Sequence, residues 1–295
     1  MMMNIGRAGL SYSGLADEAS SDIFEQISAH KALGWSSIEL RSCGGRQIVS
    51  FSDEERRRLC EAIMASDLMV SCISSPIGNW SRTLDYPLED ELLELKRLSA
   101  ISEQLGTKFV RIMSYANTET NADDAQARSV ERIRKLVAFA EDSGLILLHE
   151  NCTGWAGQSS DLTNRLLDEV PSEALGLLFD IGNGLAYGYD SLTFLRGVVP
   201  AVRHVHVKDG RRLPGATDSA SNVSYGLAGT GDAFVLKCIA LLVESGYCGH
   251  FSIEPHISLI PHLQDPKHGS PNWESYVRYA QHFESLTSLI YEQRS

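Results

Sequence analysis

The feature that most constrains this chain is one construction used four times in its second half. A run of apolar residues ends in a group that can carry charge or bind a metal. Residues 145–151 read LILLHEN and finish on Glu150, LGLLFDIGN carries Asp180, VRHVHVKD carries His206 and GHFSIEPH carries Glu254. Driving an ionised acid to the end of a buried run is costly unless something compensates the charge. Three carboxylates and one imidazole at four successive strand ends form a hard-oxygen set suited to one divalent ion. Mn²⁺ is the foremost choice, with Mg²⁺ or Co²⁺ as alternatives; Zn²⁺ is less suited, because no thiolate and only one imidazole is offered.

Short β-rich runs alternate with longer amphipathic runs along the whole chain, the pattern of a parallel sheet with helical crossovers. Residues 7–12, 35–41, 68–75, 108–114, 145–151, 175–180, 202–208 and 249–255 read as strands. Helices are expected at 21–33, 52–66, 88–105, 123–142, 161–170, 191–197, 232–245 and 272–291. Ser20 or Ser21 can cap the first helix, and Ser52 with Glu55 makes a capping box for the second. Residues 209–231, rich in Gly, Ser and Asn, form the longest irregular stretch. Eight such units predict one α/β domain over 1–295, a single (β/α)₈ TIM barrel. A doubly wound sheet fits less well, since no GxGxxG turn follows the first strand.

In such a barrel the functional groups lie at the C-terminal strand ends. By period-two alternation Glu150 is in phase with Leu148 and Ile146, so it points inward if they do. The same argument brings Glu39 and Arg41 (second strand), Arg111 (fourth strand), Lys208 and Asp209 (seventh strand) and His256 to the mouth. Arg111 and Lys208 suit a phosphate or sugar hydroxyl, or else an internal ion pair with a nearby acid. His149 points the other way and reads as structural. Trp80 and Trp155 either wall a sugar ring or fill their loops.

The 26 basic and 38 acidic residues give a net charge of −12, which repels nucleic acid and anionic membranes. Arg56, Arg57 and Arg58 fall among acids on a solvated helix. No stretch approaches a membrane span and the first ten residues carry no signal-peptide pattern. Six scattered cysteines without CxxC spacing read as reduced residues, so a cytoplasmic protein is expected. Cys152 lies near the mouth with no activating base in the sequence.

At HEN, FDIGN, HVHVKD and IEPH the chain resembles the sugar phosphate isomerase/epimerase superfamily, the xylose isomerase-like barrels that include ketose 3-epimerases and inosose dehydratases. The resemblance covers essentially the whole chain. It implies a divalent metal on Glu150, Asp180, His206 and Glu254, with Glu150 and Glu254 also the acid/base pair. It further implies a carbohydrate substrate and proton transfer beside a carbonyl through an enediolate, that is, an isomerase or epimerase. A lyase or dehydratase acting on a keto-sugar, 3-keto-glycoside or inosose shares the first half of that chemistry. Asn183 stands where ketose 3-epimerases often carry a substrate-binding His, Ala156 where an acidic contact is expected, and Arg212 matches an Arg six residues past the strand-seven His. Barrels of this kind also associate as dimers or tetramers. A related endonuclease would need more strand-end histidines and a cationic groove. A non-catalytic barrel would have lost a ligand.

Overall fold

The computed structural model describes residues 10–116, 122–213, 223–260 and 270–292. Eight parallel strands curl nearly into a closed barrel with helices outside: β1 (Ser11–Gly14), β2 (Ser37–Leu40), β3 (Met69–Ser74), β4 (Phe109–Ser114), β5 (Ile146–Gly154), β6 (Leu175–Asp180), β7 (Val202–Val207) and β8 (His250–Ile253). Each strand pairs with its neighbours in sequence and β1 pairs with β8, while β1 and β2 meet through a single bridge, Leu15 to Glu39. The expected barrel is thus the observed one.

Nine α-helices occur among the described residues: α1 (Ile23–Ala32), α2 (Asp53–Met64), α3 (Leu88–Leu105), α4 (Ala122–Ser143), α5 (Ser160–Glu169), α6 (Asn183–Tyr187), α7 (Ser191–Val198), α8 (Val235–Glu244) and α9 (Trp273–Glu292). Ser52 and Glu55 form the reciprocal capping box on α2. Gly106 follows α3 in the left-handed region at φ +69°, which a residue without Cβ enters freely.

Three local expectations are corrected. The first strand lies at Ser11–Gly14, later than 7–12; residues 7–9 fall outside the described residues. Its SYSG sequence has no apolar run to announce it. The cap of α1 is Asp22, whose carboxylate accepts from the N–H groups of Phe24 and Glu25, while Ser20 donates to Glu25. Within 209–231, Asp209–Arg212 and Val223–Gly226 pair as an antiparallel hairpin; residues 214–222 lie outside the described residues.

Two apolar layers separate the strands from the helices. One holds Phe179, Val205, Phe251 and Phe283, the other Ile38, Ile73, Val110 and Leu147. Inside the ring, Leu148, Leu178 and Cys72 pack together with Ile146 against them, so the inward phase read for Leu148 and Ile146 is correct. Much of the remaining interior is polar. Ser13 and Ser71 share a 2.7 Å hydrogen bond, and Ser37 Oγ lies 2.9 Å from His250 Nε2.

On the outside, His30 of α1 is fully buried, its Nδ1–H donating to Gln26 O at 2.9 Å and its Nε2 accepting from the Tyr276 hydroxyl at 3.2 Å. Burial pushes this imidazole from 6.5 down to about 4. The fold therefore holds it neutral, and its contribution is present above the ordinary pKa and lost as pH falls toward 4. Over that window the loss from this group is about 3 kcal/mol. Urea denaturation from pH 7 to pH 4.5 is expected to show a shallower acid loss in His30→Gln than in the parent; identical slopes would remove His30 from the acid response.

Candidate metal centre

The barrel delivers its chemistry at one rim. Asp180 and His206 are paired in register at the ends of β6 and β7, and Glu254 follows the last residue of β8. β5 runs on past Glu150 to Gly154, longer than expected. Glu150, Asp180, His206 and Glu254 each bring one donor atom to within 4.8 Å of the others, and all four are buried. His206 Nδ1 lies 3.8 Å from Glu150 Oε1, 3.8 Å from Asp180 Oδ2 and 3.6 Å from Glu254 Oε2.

The back of each group is tied down. Glu39 accepts on Oε1 from His206 Nε2–H at 2.9 Å and from Ser74 at 2.7 Å, and on Oε2 from His204 Nε2–H at 2.8 Å. That bond places a His206 proton on Nε2 and turns Nδ1 toward the three carboxylates. Asp180 Oδ1 accepts from the backbone of Gly182 and Asn183 at 2.7 and 2.9 Å. Glu150 Oε1 accepts from Asn183 Nδ2 at 3.0 Å, and Glu254 Oε1 from Arg41 at 2.7 Å.

The front is unsatisfied. Glu150 Oε2, Asp180 Oδ2 and His206 Nδ1 are buried and accept no hydrogen bond. Lys208 Nζ lies 2.6 Å from Asp180 Oδ2, a close ion contact that is out of line for donation to it. Buried acceptors that converge without donors are costly, and a divalent cation is the partner this donor set lacks. Burial pushes the Asp180 carboxyl up to about 7 against the pull of Lys208. Burial would lower His206, yet Glu39, Glu150 and Glu254 outweigh it and hold the imidazole well above its ordinary range. The His206 shift expresses excess negative charge at one point, which a divalent ion facing Nδ1 would offset, so the residues fit such an ion.

Cations surround this point. Arg41 forks onto Asp17 at 2.8 and 2.9 Å, Arg111 lies 3.2 Å from Glu150 Oε2, and Lys208 donates to Glu254 Oε2 at 2.6 Å. Arg111 and Lys208 therefore make the internal ion pairs that were one of their two readings, while both also line the cavity in front of the centre. A side chain at Gly182 would collide with the Cγ and backbone carbonyl of Lys208, so this glycine makes room for the lysine's stem and backbone.

His256, Asn183 and Trp80 line the same cavity; Trp80 is 41% exposed. His256 donates Nδ1–H to Glu18 at 3.0 Å and sits at φ +53°, and burial pushes it down to about 3, so Nε2 is an unprotonated acceptor. Glu39 and Arg212 do not line the cavity. Glu39 lies beneath the centre with both oxygens engaged, and Arg212 is exposed on the hairpin after β7. Trp155 is buried in the outer apolar layer, and His149 is buried away from the cavity. Cys152 lines the cavity 3.3 Å from the Tyr187 hydroxyl, and burial with Glu150 pushes its thiol up to about 12, too high for a thiolate nucleophile.

Sequence reasoning missed Asp17, Glu18, Gln47, Asn79, Tyr187 and Tyr225. The two acids follow β1 directly, so a correctly placed first strand would have brought them to the mouth by the argument used for Glu150.

The sequence profile of the xylose isomerase-like TIM barrel matches residues 27–278. The chain belongs to that family. Among its relatives is an inosose dehydratase of Clostridium perfringens (strain 13 / Type A), 26% identical over 168 residues that make up 54% of each chain. The match thus spans about half the length of that protein. Two solved structures of xylose isomerase-like or related barrels share the fold. A xylose isomerase-like TIM barrel protein from Mycobacterium smegmatis in complex with magnesium is 16% identical at TM-score 0.69, covering 95% of this chain and 97% of that one. A D-allulose 3-epimerase from Methylomonas sp. in complex with D-allulose is 16% identical at TM-score 0.73, covering 94% and 96%. Among the described residues of this xylose isomerase-like barrel no helix is long and apolar enough to cross a membrane.

The carboxylate behind the imidazole gives a direct prediction. Glu39→Gln removes the anion that orients His206, and divalent-metal affinity measured by calorimetry should fall by about 10–100-fold. Unchanged affinity would show that packing alone orients the ring.

Proposed function

We propose that this barrel is a divalent-metal-dependent enzyme that moves a proton beside the carbonyl of a keto-sugar or cyclitol ketone, and so acts as a sugar isomerase or epimerase. The observation that carries the reading is the convergence of three carboxylates and one imidazole, with Asp180 Oδ2 and His206 Nδ1 there accepting no hydrogen bond, at the floor of a cavity lined by Glu150 and Glu254. Glu150, Asp180, His206 and Glu254 would hold the ion, with Mn²⁺ our choice and Mg²⁺ or Co²⁺ the alternatives. Once bound, the ion would polarise the substrate carbonyl and offset the charge that develops on its oxygen.

The chain supplies the rest. Glu150 reaches the cavity with an oxygen, Oε2, that accepts no hydrogen bond and lies 3.2 Å from Arg111 Nη1. Asn183 holds the other Glu150 oxygen and so fixes the carboxylate plane. Lys208, His256 and Tyr225 present polar atoms to hydroxyl groups, and Trp80 with Met113 supplies an apolar wall. Elimination is the second reading, favoured by the likeness to an inosose dehydratase over half its length.

The test is proton NMR in D₂O with Mg²⁺-loaded protein and a panel of ketoses and inososes. Loss of the signal from a hydrogen next to the carbonyl, dependent on Mg²⁺ and stopped by EDTA, is the expected result. A panel that stays fully protonated with Mg²⁺ shown to be bound would count against the reading.

A further inference from the structure

The mouth of the barrel has a second face. β2 and β3 stand four strands round the ring from β6 and β7, so the loops that follow them look across the cavity toward Asp180 and His206. The loop after β2 is a hairpin in which Ser42 pairs with Gln47 and Cys43 with Arg46, turned at Gly44 and Gly45 with φ +60° and +72°. It is well anchored. Ser42 Oγ donates to Asp17 at 2.6 Å, Ser42 O accepts from Gln26 at 3.0 Å, and Gly44 N–H donates to Ser21 O at 2.7 Å. This hairpin brings Gln47 to the cavity.

Gln47 Oε1 is buried and accepts no hydrogen bond. It lies outside the four-residue metal set, so an ion there leaves it unanswered. From the loop after β3, Asn79 lines the same cavity, and its Oδ1 accepts from the N–H and hydroxyl of Ser81 at 2.9 and 2.7 Å. Its amino group is left to donate. An unpaired acceptor and a donor beside the Trp80 ring suit a hydroxyl group, which both donates and accepts. The basic side chains of these two loops are all engaged: Arg41 with Asp17, Arg46 with Glu55, and Arg82 with Glu91 and Glu94. A phosphate placed here would meet two amides and an indole in place of a free cation.

We propose that Gln47 determines specificity: its Oε1 accepts from a hydroxyl at the end of the substrate remote from the ion, and that end is uncharged. The inference rests on the functional reading above and narrows it to an unphosphorylated polyol ketone that spans the mouth. In the free protein the unpaired oxygen weighs against stability, and a bound hydroxyl relieves it.

The experiment titrates Mg²⁺-loaded parent and Gln47→Met with D-allulose, D-tagatose, 2-keto-myo-inositol, D-fructose and D-fructose 6-phosphate. Saturation-transfer NMR reads binding, calorimetry reads Mg²⁺ affinity, and thermal melting reads stability. Methionine keeps the length of the side chain and removes the acceptor. The dissociation constant of the tightest neutral probe should rise about threefold or more, the scale of one hydrogen bond. The melting temperature should hold or rise, and Mg²⁺ affinity should stay unchanged. D-fructose 6-phosphate should bind the parent no more tightly than D-fructose. A smaller rise for every probe that the parent binds would overturn the assignment while leaving metal-dependent proton transfer intact. A melting temperature that falls in the variant would also overturn it, by marking Gln47 as structural, and tighter binding of the phosphate would overturn the uncharged end. If the parent, with Mg²⁺ shown to be bound, takes up none of the probes, the functional reading falls and this inference with it.

Discussion

Arg41→Met is expected to lower unfolding free energy by about 3–5 kcal/mol, the scale for removing one partner of a buried charge network. The side chain is 4% exposed and bonds Asp17 and Glu254, with Glu18 at 3.6 Å. Methionine fills much of the volume, so the loss is electrostatic: three buried carboxylates are left sharing fewer donors. Arg41→Lys should recover only part of the loss, because an ammonium keeps the charge without the planar fork that matches Asp17. Urea denaturation at pH 7 measures both variants. A change below 1 kcal/mol for Arg41→Met would mean that the acids find other partners.

A comparable effect is expected from the cation. At a thousandfold excess over its dissociation constant, a ligand that binds only the folded state adds about 4 kcal/mol. Protein stripped with EDTA and then given excess Mn²⁺ or Mg²⁺ should therefore melt on the order of 5–10 °C higher. Asp180→Asn keeps an oxygen for the backbone of Gly182 and Asn183 but removes the charge, and most of the rise should disappear. If the parent melts at one temperature with and without the ion, the four residues do not form a metal centre.

The four strand ends were readable because each couples a period-two apolar run to a terminal polar group, and both signals are local. Helix ends were readable for the same reason at Ser52, Glu55 and Gly106. The hairpin after β7 was not, since it depends on Asp209, whose carboxylate accepts from the N–H groups of Gly210, Gly229, Gly231 and Ala233. Its partners lie up to 24 residues away, beyond any local propensity. Glu39 was placed at the mouth by its strand end; its actual position beneath His206 is set by a partner 167 residues later. The Arg41 network joins Asp17 and Glu254, at the ends of β1 and β8, to the end of β2, a meeting of the first two strands with the last that only closure creates.

That closure has a mechanical side. Neighbouring strands elsewhere share ladders of backbone bonds, but β1 and β2 meet through the one bridge at Leu15 and Glu39. Arg41, just past β2, and Asp17, just past β1, span the same seam with two short bonds, and the third arm of the guanidinium reaches Glu254. Side chains thus do at this seam what the ladder does around the rest of the ring. One guanidinium thus ties Glu254 of the candidate metal centre to the joint with the fewest backbone bonds, and works there as a rivet shared by the rim and the cylinder.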